Sequence, residues 1–298
     1  MTFNEGVRGN SRRVRTSGGG GRRGMAIGGG VGGGGLLVVL AIMLLTGQNP
    51  ASLLDGGGSD TAGGGDGVDL SHCQTGADAN EHTECRMVLT ADALDVYWDG
   101  AMAEAGEQYA MPGFEIFTGS VGTGCGSATA AVGPFYCPAD SSVYLDLGFF
   151  DQLETQLGAR NAPLAQIYIV AHEWGHHAQH ALGTMDSADR TDTGPSGDAV
   201  RTELQADCYA GMFVGQAAGT VDPDSGETFL REPTRDEVSS ALEAAAAVGD
   251  DRIQETSGRD VAPHTWTHGS AEQRTRWFTT GYEQGTLQSC DTFAVATP

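Results

Sequence analysis

The chain has 298 residues, 16 Lys+Arg against 39 Asp+Glu, and a net charge of −23; all 16 basic residues are Arg. A body this acidic repels phosphate backbones, which argues against nucleic acid as a partner. The charge is uneven, with residues 1–47 at +5 and the remainder at −28.

In chain order, residues 1–24 are rich in Gly, Arg and Ser, and the composition predicts a disordered tail. Residues 25–47 (MAIGGGVGGGGLLVVLAIMLLTG) are uncharged. Their strongly apolar part is only Leu36–Leu45, short of the roughly 20 residues a bilayer core requires unless the glycines count. No small-x-small cleavage site follows, so the segment reads as an uncleaved signal anchor rather than a signal peptide. The Arg cluster ahead of it predicts a single-pass membrane protein with a cytoplasmic N-terminus and the rest outside. Residues 48–69 read as a Gly-rich tether, and residues 70–298 as one globular domain large enough for a proper core.

All six cysteines (Cys73, Cys85, Cys125, Cys137, Cys208, Cys290) follow the anchor, where thiols would oxidise. Sequence proximity favours Cys73–Cys85 and Cys125–Cys137, which leaves Cys208–Cys290 by elimination, with a free buried Cys208 as the alternative.

Within the domain, Thr90 followed by ADALDVYWDGAMAEAG reads as an N-capped helix with apolar residues three and four apart. FEIFTGSV, ATAAVGPFYC and SSVYLDLGFF read as short strands punctuated by Gly, Pro and Asp. A long helix is predicted over 163–182, with Pro163 in its first turn and Gly183 as its stop. A second runs over about 198–217. T-R-D-E at Thr234 and S-A-E-Q at Ser270 are capping boxes that open two more. A small antiparallel sheet followed by helices, behind one transmembrane helix, makes the fold class α+β.

The long helix carries 170-VAHEWGHHAQ-179. Residues four apart in a helix share a face, so His172 and His176 can reach one ion, with Glu173 on the flank as a base for water. A catalytic zinc site needs a third protein ligand and an open fourth position. The next helix offers 203-ELQAD-207, where Glu203 can complete a His₂Glu set. Asp207, one turn on, can accept from a ligand histidine's other ring nitrogen. Ala206 between them lets the two helices approach closely. His177 and His180 point off the shared face and read as non-ligands, and Trp174 as packing.

H-E-x-x-H followed by E-x-x-x-D on a later helix resembles the gluzincin zinc peptidases. GCG-x₆-GPFYCPAD, VYLDL-x-FF, AHEWGHHAQ, ELQADCYAG and HGSAEQRTRWF, with the Arg/Gly-rich head and single anchor, resemble the bacterial neutral zinc metallopeptidase family. The resemblance covers nearly the whole chain beyond the tether. It implies a zincin-like fold, one zinc ion on His172, His176 and Glu203, Glu173 as general base, and a protein or peptide substrate.

The residues suggest a donor for the developing oxyanion as well: His268, in the loop before the capped helix, with His264 and Tyr282 as rivals. In zincins generally an edge strand receives extended peptide, and the resemblance implies that role for VYLDL. Two other functions compete with the peptidase: a zinc amidase acting on cell-wall peptide, and a non-catalytic envelope scaffold in which zinc is structural, with Asp207 or Cys208 as fourth ligand.

Overall fold

The computed structural model describes residues 2–18 and 67–298. The expected anchor, 25–47, and most of the expected tether, 48–69, lie outside the described residues. Among the described residues no helix is long and apolar enough to cross a membrane.

The first described segment corrects the expectation of a disordered tail over 1–24. Residues 2–18 are built into the domain and end in strand β1, Val14–Gly18. Phe3 and Val7 are fully buried, and Val14 nearly so. The Phe3 amide donates to Asn80 Oδ1 at 2.9 Å, and Asn80 Nδ2 donates back to the Phe3 carbonyl at 3.0 Å. Arg13 pairs with Asp95, and its guanidinium lies 5.3 Å from the centre of the Trp174 ring. Three well-separated apolar anchors do this work, too sparse to lift the mean composition above that of a disordered chain.

The ends flanking the undescribed stretch meet. A Cβ placed on Gly67 would lie 2.7 Å from Thr16 Oγ1. The N-terminal segment thus lies against the domain, with β1 paired to β2 along its whole length. One crossing that left the N-terminus in the cytoplasm and the domain outside would pull β1 out of its sheet.

Helix α1, Gly76–Glu81, opens on a capping box between Thr75 and Asp78. Helix α2 spans Thr83–Ala105 and ends at Gly106, whose φ of 79° is the left-handed stop that glycine adopts freely. It begins seven residues before the expected cap at Thr90. That hydroxyl instead donates to the Arg86 carbonyl inside the helix, at 2.7 Å.

Strand β2 (Gly113–Thr118) is followed by the hairpin β3 (Ser120–Thr123) and β4 (Gly126–Thr129), then by β5 (Phe135–Cys137) and β6 (Ser142–Asp146). The main sheet has the order β1-β2-β6-β5, parallel except for the β5–β6 pair. It is mixed, not antiparallel as expected, because β1 arrives from the far N-terminus and the hairpin carries the chain across between β2 and β6. All five residues of β6 are buried. The VYLDL segment is thus an inner strand, and the edges of the sheet are β1 and β5.

Helix α3 (Phe149–Thr155) leads to the long helix α4, Pro163–Ala181. After a single turn at Thr184–Ser187 come α5 (Asp198–Gln216), α6 (Arg235–Ala247), α7 (Asp250–Thr256) and α8 (Ala271–Gln284). The predicted capping boxes at Thr234 and Ser270 both form. One core joins the sheet's inner face to α2, α4, α5, α6 and α8; a smaller cluster lies under the β3–β4 hairpin. Three disulfides form: Cys73–Cys85, Cys125–Cys137 and Cys208–Cys290.

Candidate metal centre

Helix α4 runs through the middle of the molecule, and every residue from Leu164 to Gln179 is buried. Its length and burial follow from an apolar first half, AQIYIVA, that needs cover on all sides. The second half carries the polar groups, brought inside because α5 covers them. The helices touch at Gly175, where a Cβ would lie 2.9 Å from the Ala206 carbonyl and 3.0 Å from its Cα. The approach expected from Ala206 is real, and Gly175 on the facing helix is its other half.

That approach brings together His172, His176 and Glu203, whose candidate ligand atoms all lie within 4.8 Å of one another. The two imidazoles stand edge to face, 4.7 Å between centres. His172 Nε2 lies 3.2 Å from Glu203 Oε2, and His176 Nε2 lies 3.5 Å from Oε1. Ligands about 2.0–2.1 Å from a tetrahedral zinc sit about 3.3 Å apart, so these separations suit such an ion.

The remaining ring nitrogens test that fit independently. His172 Nδ1 is 2.9 Å from Asp207 Oδ1, as expected for Asp207, and His176 Nδ1 is 2.9 Å from Gln179 Oε1. Both partners are acceptors, so each Nδ1 carries a proton, which leaves Nε2, the atom facing Glu203, as the one a metal would take. The donor set fits zinc.

Asp207 is itself held. Arg274 donates to both of its oxygens at 2.9 Å, and the Tyr168 hydroxyl donates to Oδ1 at 2.6 Å. Burial raises the Asp207 pKa, but Arg274 and His172 outweigh it and hold the carboxylate below its ordinary value. At Glu203, too, burial is outweighed, by His176 and His172, and the group stays well below the usual carboxylate range. Burial acts against a charged His172, yet Asp207 and Glu203 push its pKa up to about 9. Glu173 differs: burial dominates and raises its pKa, against the opposing pull of His176 and His172. A carboxylate made more basic than usual beside the two imidazoles suits the role of proton acceptor.

His268 is brought close enough for Glu203 to favour its charged form, after the stronger effects of burial and of Asp250. Asp250 sits 3.2 Å from His268 Nδ1 and accepts the backbone amides of Thr267 and His268 at 2.7 Å. No hydrogen bond to His268 Nε2 occurs among the described residues. The rivals lie elsewhere: His264 is exposed, and Tyr282 stacks on Phe278. His177 and His180 both turn to the Tyr136 hydroxyl, at 3.1 and 2.7 Å, away from the centre. Trp174 is buried and donates to Asp95 at 3.0 Å.

Sequence reasoning missed Gln179, Tyr168, Arg274 and Asp250. Two had a signal: Tyr168 lies one turn before His172, and Gln179 three residues beyond His176, both on the same helical face. Arg274 and Asp250 lie far along the chain, and nothing local marks them.

A model of the family described as "Putative neutral zinc metallopeptidase" matches residues 4–293. The chain is similar to the uncharacterized protein Rv2575 of Mycobacterium tuberculosis, 48% identical over 230 residues, 77% of each chain. It is also similar to the uncharacterized protein YpfJ of Escherichia coli K12, 34% identical over 247 residues, 76% of this chain and 81% of the relative. No solved structure matches.

Proposed function

This chain belongs to the neutral zinc metallopeptidase family, and from that premise we propose that it hydrolyses peptide bonds with one zinc ion held by His172, His176 and Glu203. A zinc ion there supplies a Lewis acid, which acidifies water and polarises a carbonyl. Glu173 takes a proton from the attacking water and delivers it to the leaving nitrogen, so the carboxylate is regenerated in each cycle. His268, with Nδ1 tied to Asp250, offers Nε2–H to the oxygen on which charge develops. The free edge of β5 beside α4 is the place for an extended peptide to add as a further strand. The HExxH helix, the ExxxD helix beside it and the adjoining sheet support a zincin-like reading of the fold.

The observation that carries the reading is that, among the described residues, no fourth protein ligand joins the three. A structural zinc is almost always closed by four. Cys208 is spent in a disulfide, and Asp207 already serves Arg274, Tyr168 and His172. Among the described residues only three donors converge. Three disulfides favour a working place outside the reducing cytoplasm.

Glu173→Gln tests the proposal. Purified protein carrying this change should retain one zinc at the centre and lose peptide-library cleavage by at least about 100-fold, the order expected for a general base. Unchanged cleavage, or cleavage by the wild type that survives a chelator, would defeat the mechanism. His268→Ala should likewise lower kcat by about 100-fold, the order for one oxyanion donor, with bound zinc unchanged. Unaltered turnover would remove His268 from the reaction.

A further inference from the structure

We propose that His72, His82 and Glu84 form a second divalent-cation site, on the surface and separate from the catalytic centre, that takes zinc or copper(II). His72 lies in the turn ahead of α1, His82 is the residue just before α2, and Glu84 is in the first turn of α2. The Cys73–Cys85 bridge ties the residue after His72 to the residue after Glu84, with 4.7 Å between Cα atoms. The donors are therefore covalently kept together, and little ordering remains for an ion to impose.

Their arrangement repeats that of the buried centre. The His72 and His82 rings stand edge to face at 5.0 Å and 89°, against 4.7 Å and 86° for His172 and His176. His72 Nε2 lies 3.2 Å from Glu84 Oε1, the same distance that separates His172 Nε2 from Glu203 Oε2. All three ligand atoms again fall within 4.8 Å of one another. Two imidazoles and a carboxylate select zinc or copper over calcium and magnesium, which prefer all-oxygen shells.

An ordinary exposed ion pair accounts for His72 and Glu84. It leaves His82 unexplained, since that ring makes no hydrogen bond among the described residues and still faces the pair. The site adjoins Thr75, whose backbone bridges to Arg8 of the N-terminal segment. An ion held here would fasten the turn to the start of α2 where that segment docks.

The test uses the untagged full chain with the first site emptied by His172→Ala and His176→Ala, titrated with zinc by calorimetry. One equivalent should bind, and both His82→Gln and Glu84→Gln should weaken it tenfold or more. No binding, or binding indifferent to both changes, overturns the proposal. Should the double alanine chain fail to fold, zinc is counted on the otherwise wild-type protein by mass spectrometry. Two ions per chain, falling to one in the His82→Gln variant, support the site; one ion in both overturns it. Neither arm measures hydrolysis, so the result stands apart from the peptidase reading.

Discussion

Asp207 is fully buried, and its charge is tolerable only because Arg274 meets it with two hydrogen bonds. Removing one partner of such a pair strands a charge and costs roughly 3–5 kcal/mol. Arg274→Ala should therefore lower the thermal midpoint markedly. Because Asp207 orients His172, it should also weaken zinc binding by about 10–100-fold, the usual effect of losing a group that positions a metal ligand. Zinc titration at a temperature where the variant remains folded would check this, and wild-type affinity there would show that His172 keeps its tautomer unaided. At this scale the sequence was informative where chemistry repeats within a turn or two. The pairing of His172 with His176, and of Glu203 with Asp207, was readable because helical spacing alone brings each pair onto one stretch of a helix. Arg274 was not, since its partner is 67 residues away and local spacing says nothing about such a contact.

Helices α5 and α8 meet backbone to backbone. A Cβ on Gly281 would lie 1.8 Å from the Cys208 carbonyl, and one on Gly211 would lie 2.0 Å from that of Phe278. Within a solvated helix, alanine is favoured over glycine by about 1 kcal/mol. Here the sign should reverse: Gly281→Ala must push α8 off α5, carrying Arg274 away from Asp207. The expected result is a drop of several degrees in melting temperature and lower zinc occupancy, by calorimetry and metal analysis. A variant more stable than wild type would mean that the seam can open without harm. The helices themselves were legible from their caps, as at Thr234 and Ser270, where short-range chemistry sets the start. The sheet was less so. β1 and β2 are separated by nearly a hundred residues, and strand polarity depends on how the chain travels between them, which five-residue patterns do not encode.

The N-terminal segment changes how the molecule as a whole is understood. Burying Phe3, Val7 and Val14 contributes roughly 1.5–3 kcal/mol each by area arguments, and Arg13 lies against Trp174, the neighbour of Glu173. Deleting residues 2–18 should lower the melting temperature by about 10 °C or more, given about 2–4 °C per kcal/mol for a chain of this size. In intact cells, epitope tags placed before residue 2 and in the 222–227 turn should be protected from, or exposed to, protease together. Opposite accessibility would show that β1 is not paired with β2 in the cell.

Gln179, which orients His176, donates to Gln205, and Gln205 donates to the Cys290 carbonyl. Cys290 is in turn bonded to Cys208, the neighbour of Asp207. Both imidazoles are thus braced, one through each side, by a sulfur–sulfur link that touches neither. Were an ion held there, a thiol reductant would act on it indirectly, by slackening this buckle and letting the rings turn, and the expected result is faster metal loss with every ligand left in place.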